Sequence, residues 1–152
     1  MKEADVKRNA EPSADGKWRK LLGRRETFKV LVIDDSDIAR ARMRDILNEA
    51  GLDVLELASP IGATRVIMRN NVSVVVVDVL MPGMRGDRLA TLFRGNPRFG
   101  TLGVVLVSGD SGVELDRMLS DTAADAAVSK SNLKDLVGAV IRAYRARTGE
   151  HA

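Results

Sequence analysis

KVLVIDDSD, Lys29 to Asp37, is the stretch on which the fold reading turns. Its apolar run Val30 to Ile33 is β-branched at most positions and too short for a helix, so it predicts a buried strand. Acids follow at once, and beyond them Ala39, Met43, Ile46, Leu47 and Ala50 recur at helical spacing until Gly51, whose missing Cβ suits a left-handed position after a helix. The order is strand, acidic turn, helix, which is the first half of a βαβ unit.

Outward from there the pattern repeats. Val54 to Leu57, Val74 to Val77, Val104 to Val107 and Ala126 to Val128 read as four further strands, the last carrying the weakest signal. Pro60 predicts the start of a second helix at a permitted first-turn site, with Ile61, Thr64, Val66, Ile67 and Met68 on its face. A third helix runs from about Asp87 to Arg94 and a fourth between Val113 and Asp121. In the last helix Leu133, Leu136, Val137, Val140, Ile141 and Tyr144 share one face behind a Ser131 cap. Five such repeats predict an α/β fold with a five-stranded parallel sheet and helices on both faces.

With 152 residues and 45% apolar content there is material for one core and no second domain. Residues 1 to 27 are polar, of mixed charge and without sustained apolar period, and are expected to form a flexible charged extension to a domain at 28–148, with a short tail at 149–152. Within the extension Trp18, Leu21 and Leu22 stand at helical spacing among basic residues, either as a docking motif or as a solvated turn. There is no cysteine, hence no disulfide and no thiolate metal site. The amino terminus lacks an apolar signal core and no run approaches the ~20 residues that cross a bilayer, so a cytoplasmic protein with no membrane insertion is expected. The net charge of +3 is spread among mixed signs, and direct DNA binding is not expected.

Asp34, Asp35 and Asp78 all follow strand ends. In open α/β sheets ligands bind beyond the carboxyl ends of strands, where the strand order reverses; in the order 2-1-3-4-5, strands one and three are neighbours and these acids converge. Clustered carboxylates repel and ask for a cation, and an all-oxygen set suits a hard ion such as Mg²⁺ or Mn²⁺. The only histidine, His151, stands at the end of the chain, which argues against zinc. Ser108 and Lys130 follow the fourth and fifth strands, where a hydroxyl and an ammonium can meet phosphoryl oxygens. Taken singly, the acids could merely cap a helix, Ser108 could serve a turn and Lys130 could be solvated. Five suitable groups after four of five strands point instead to phosphoryl transfer.

Residues 29 to 146 resemble the response-regulator receiver family: the pair Asp34-Asp35, the Asp78-Val79-Leu80-Met81-Pro82-Gly83-Met84-Arg85-Gly86 segment, Ser108 and Lys130 fall in the family's order and approximate spacing. The resemblance implies the flavodoxin-like strand order 2-1-3-4-5, an order on which the strand-end rule was partly framed. It further implies a stand-alone phosphoacceptor of a two-component phosphorelay, charged by a histidine kinase or phosphotransfer protein and acting on a downstream protein target. Asp78 would accept the phosphoryl group. Asp35, Asp78 and the main-chain carbonyl of Leu80 would ligate Mg²⁺, Asp34 would act largely through water, and Ser108 and Lys130 would contact the phosphoryl group. The chain would not be an enzyme beyond self-catalysed phosphotransfer and autodephosphorylation. Two positions depart from the family pattern: Ala127 replaces the usual switch aromatic, and Ser131 the usual proline. Leu80 and Asp110 hold places that vary in the family and influence phosphoryl lifetime.

Rivals are weaker. A haloacid-dehalogenase-like phosphatase needs a second acid two residues after its aspartate, and that place is Leu80. Gly109-Asp110-Ser111-Gly112 resembles a trypsin-like nucleophile segment, but His151 cannot serve as its base. A receiver-fold interaction module with an idle pocket is the stronger competitor, because Ala127 has no ring to rotate. A DNA-binding regulator is disfavoured, since nothing after the domain could form a helix-turn-helix.

Overall fold

A computed structural model describes residues 27–109 and 112–149 of the chain. Five strands, β1 (Lys29–Ile33), β2 (Asp53–Leu57), β3 (Val72–Asp78), β4 (Gly103–Ser108) and β5 (Ala126–Ser129), alternate with five helices. These are α1 (Asp37–Glu49), α2 (Ala63–Asn70), α3 (Gly86–Arg94), α4 (Gly112–Asp121) and α5 (Leu136–Thr148), with short 3₁₀ turns at Pro97–Phe99 and Lys130–Asp135. All neighbouring strands pair in parallel, in the order β2-β1-β3-β4-β5. The flavodoxin-like α/β fold expected from the sequence is the one observed. The segment with Trp18, Leu21 and Leu22, together with Asp110 and His151, lies outside the described residues.

The strands run as near-continuous apolar stretches because both faces of the sheet are covered. Alternation along each strand divides the core in two. Val30, Val32, Val74, Val76 and Val105 pack with Met43 and Leu47 of α1 and Val140 of α5. Leu31, Ile33, Val75, Val77 and Leu106 turn to the other side, against Val66 of α2, Phe93 of α3 and Met118 of α4. The first described residues join the domain directly, for Phe28 is buried and stacks on Tyr144 of α5 with ring centroids 4.0 Å apart.

Helix boundaries depart from expectation at two places. Pro60 does not open α2; its carbonyl accepts the Ala63 N–H at 3.1 Å in a turn, and the chain enters the helix through Gly62 at φ +84°. That left-handed step favours glycine and places the helix start at Ala63. The buried face is consequently Ala63, Val66 and Ile67, while Ile61, Thr64 and Met68 are exposed. Ser131 does not cap the last helix either. Ser129 Oγ accepts the Ser131 N–H at 3.2 Å, a 3₁₀ turn carrying buried Leu133 follows, and α5 begins only at Leu136. Gly51 does take the left-handed conformation beyond α1, at φ +94°.

The end of the sheet opposite the strand carboxyl termini is held by Asp125, whose side chain is 7% exposed. Its carboxylate accepts from the Val104 N–H at 2.8 Å, from Arg94 Nη2 of α3 at 2.6 Å and from Arg147 Nε of α5 at 2.8 Å. One acid thus ties helices from both faces to the start of β4. Burial lowers the Arg94 pKa, with Arg147 acting in the same direction and Asp125 opposing both.

Candidate metal centre

At the carboxyl edge of the sheet, β1 ends at Ile33 and the next residue turns inward. The Asp34 N–H donates to Leu57 O at 3.1 Å, and Asp34 Oδ1 accepts the Ser36 N–H at 2.9 Å. This turn buries Asp34 completely and leaves Asp35 exposed, while Ser36 Oγ caps α1 by accepting the Ala39 N–H at 3.2 Å. Helix capping and pocket formation are therefore done by different side chains of the same acidic stretch. Asp78 is the last residue of β3, adjacent to β1 because Ile33 lies in register with Val77.

The three acids meet. One carboxylate oxygen from each of Asp34, Asp35 and Asp78 lies within 4.8 Å of the others. Lys130, directly after β5, reaches across with Nζ 2.9 Å from Asp34 Oδ2 and 3.4 Å from Asp78 Oδ2. Ser108 closes β4 fully buried, one residue beyond Val107, the register partner of Asp78. The Leu80 N–H donates to Asp78 Oδ1 at 3.4 Å, which brings the Leu80 backbone beside the carboxylate although its side chain is exposed. Ala127, half-buried on β5, lies in register with Leu106 and packs on the side of the sheet that carries α2, α3 and α4.

The electrostatics follow from this crowding. Burial raises the Asp78 pKa and the Asp34 charge raises it further, against the opposing pull of Lys130 and the Leu80 N–H. For Lys130, burial acts to lower the pKa, but the hydrogen bond and charge of Asp34 and the charge of Asp78 outweigh it and the net shift is upward. Three carboxylates face one ammonium. Asp34 Oδ2 is buried, and among the described residues the Lys130 ammonium at 2.9 Å is what meets its charge. A buried carboxylate oxygen in that position, within an all-oxygen donor set, fits a hard divalent cation.

Two contributors were not legible in the sequence. A Cβ on Gly86 would stand 2.3 Å from Asp78 O and 2.8 Å from Val77 Cγ1, so only glycine lets α3 begin this close to β3. Its N–H donates to Val79 O at 2.9 Å. Arg40 Nη1 donates to the main-chain oxygen of Asp34 at 2.8 Å, a contact six residues long that no periodicity reveals.

The response regulator receiver domain family matches residues 30–141. The chain is 29% identical over 146 residues to the sensor histidine kinase RcsC of Escherichia coli K12, covering 95% of this chain and 15% of that protein. It is 30% identical over 130 residues to a gliding motility regulatory protein of Myxococcus xanthus, covering 86% of this chain and 16% of that one. The chain therefore spans about one sixth of the length of these relatives. Among solved structures, the receiver domain of the Francisella response regulator 1452 superposes with a TM-score of 0.66 at 27% identity, covering 78% of this chain and 97% of the other.

Proposed function

The chain belongs to the response regulator receiver family of two-component signalling, and from that premise we propose that it accepts a phosphoryl group on Asp78 with Mg²⁺ held in the Asp34, Asp35 and Asp78 pocket. The observation that carries the reading is the meeting of three carboxylates and Lys130 at the β1/β3 edge of the sheet. In the proposed step a carboxylate oxygen of Asp78 attacks the phosphorus of a phosphohistidine on a histidine kinase or phosphotransfer protein. An O–P bond forms and the N–P bond breaks, its electron pair staying on the imidazole nitrogen of the donor. Lys130 supplies a point charge to the phosphoryl oxygens and Ser108 a hydroxyl donor. Asp34 holds Lys130 in place, and Asp35, Asp78 and the Leu80 carbonyl are the ligands assigned to the ion. When bound, Mg²⁺ offsets the negative charge that gathers between carboxylates and phosphoryl group. Attack of water on the aspartyl phosphate releases inorganic phosphate and returns Asp78.

The domain then acts through contact with a downstream protein in the cytoplasm, without binding DNA or entering a membrane. Among the described residues no helix is long and apolar enough to cross a membrane. Intact-mass measurement after incubation with Mg²⁺ and a small acyl phosphate tests the reading: wild type gains one phosphoryl mass and Asp78→Asn gains none. Labelling of Asp78→Asn removes the assignment. Ala127 favours a second reading, an interaction module indifferent to phosphorylation. Equal affinity for a partner with and without acyl phosphate would support that module over the switch.

A further inference from the structure

We propose that Arg40 is a positioning residue for the acidic pocket, fixing the peptide that joins Asp34 to Asp35 and thereby where the two carboxylates stand toward the divalent ion. The inference rests on the Mg²⁺ reading of that pocket and adds a residue to it. Arg40 lies in the first turns of α1 and uses all three of its nitrogens. Nη1 donates to Asp34 O at 2.8 Å, Nη2 to Asp37 Oδ1 at 2.6 Å, and Nε stands 3.3 Å from Glu56 Oε1. Glu56 is gripped from the same helix by Arg44 Nη1 at 3.2 Å, one turn further on. Glu56 also directly precedes Leu57, whose carbonyl accepts the Asp34 N–H at 3.1 Å.

These contacts close a ring from Asp34 to Leu57, through the chain to Glu56, across to Arg40 and back to Asp34. Both backbone polar groups of Asp34 are therefore committed, and the carbonyl that Arg40 holds belongs to the peptide leading into Asp35. Asp35 is exposed, and among the described residues no hydrogen bond or ion pair of its side chain orients it, so the orientation of that peptide governs where its carboxylate points. The Arg40 and Glu56 side chains are each 16% exposed, which sets this pair apart from a solvated surface bridge. A lysine could keep the charge but not the planar fork that serves three acceptors at once.

Charge and positioning predict opposite signs. A cation beside a cation site repels the ion, so if Arg40 acted by charge alone its removal would tighten Mg²⁺ binding. If it positions the pocket, removal weakens binding in spite of the lost repulsion. The experiment is a titration of backbone amide resonances with MgCl₂, well below the melting temperature, for wild type, Arg40→Gln, Arg40→Lys and Glu56→Gln, with thermal midpoints recorded alongside. Loss of a partner that orients a metal ligand costs about 10–100-fold in affinity, and the lower end is expected for Arg40→Gln because its contact is to the backbone. Arg40→Lys should weaken binding similarly, and Glu56→Gln by a smaller factor in the same direction. Mg²⁺ binding as tight as wild type or tighter in folded Arg40→Gln or Arg40→Lys, whatever the thermal midpoint, overturns the proposal. Should Arg40→Gln not fold, Arg40→Lys and Glu56→Gln decide by the same criterion. Wild type that shows no Mg²⁺ response at Asp34 to Ser36, and no difference from Asp35→Asn, would sink the metal reading itself and this proposal with it.

Discussion

Replacing Lys130 with glutamine should expose how the pocket balances its charge. The ammonium lies 2.9 Å from Asp34 Oδ2 and 3.4 Å from Asp78 Oδ2, with the two acid side chains 0% and 7% exposed and the lysine 27%. Breaking a fully buried pair costs roughly 3–5 kcal/mol and an exposed one about 0–1 kcal/mol. A lysine open to water on one side falls between, at about 2 kcal/mol. A domain of this size shifts its midpoint by about 3–6 °C per kcal/mol, so Lys130→Gln should melt about 6–12 °C below wild type in metal-free buffer. Millimolar Mg²⁺ should raise the midpoint of the variant more than that of wild type, since the ion meets carboxylates that no longer have a competing cation. Scanning calorimetry of both proteins across a Mg²⁺ series makes the comparison. A metal-free loss under ~0.5 kcal/mol, or a loss of equal size at every Mg²⁺ concentration, would refute the argument that lysine and metal ion balance the same charges.

Other outcomes follow from the same geometry. Burial and the Asp34 charge hold the Asp78 pKa above that of an unfolded carboxyl, so the folded state binds the extra proton and metal-free stability falls as pH rises from ~4 through the folded value. Asp78→Asn should therefore melt above wild type at pH 7 in chelator, with the gap closing toward pH 4; equal midpoints at pH 7 would show that the ionised carboxylate carries no net cost. Asp125→Ala leaves Arg94, 12% exposed, without its carboxylate and should destabilise by about 3–5 kcal/mol in a urea melt, a loss below ~1 kcal/mol meaning that the pin is dispensable. Ala127→Tyr should enlarge the amide shifts that phosphorylation produces from Val113 to Tyr144, since a ligand shifts an equilibrium only by its differential affinity for the two states. A full two-state change in wild type that the tyrosine does not enhance would make the missing ring irrelevant.

The fold was legible because its signals are local. Runs such as Val74 to Val77 are apolar on both faces and too short to be helices, and the acids stand directly after them. Boundaries set by single conformations were not: the left-handed step at Gly62 moved a helix start from Pro60 to Ala63, and the Ser129 turn displaced a cap expected at Ser131. The acidic cluster was legible once strand order was assumed, because strand ends carry their residues with them. Arg40 and Asp125 were not, since each works by reaching Glu56, Arg94 or Arg147 on elements that the sequence cannot place beside it. Gly86 entered the sequence reading only as the end of the Asp78 to Gly86 segment, because the close approach that demands a glycine there, 2.3 Å from a Cβ to Asp78 O, is made by the fold.

A phosphoryl group on Asp78 can be trapped where it forms. Wild type incubated with Mg²⁺ and an acyl phosphate is reduced with borohydride, which converts an aspartyl phosphate to the corresponding alcohol, and peptide mapping then locates the altered side chain. Reduction at residue 78 alone, absent when Mg²⁺ is chelated, is the expected result. Reduction at Asp34 or Asp35, or at no residue in folded protein supplied with donor and Mg²⁺, would contradict it.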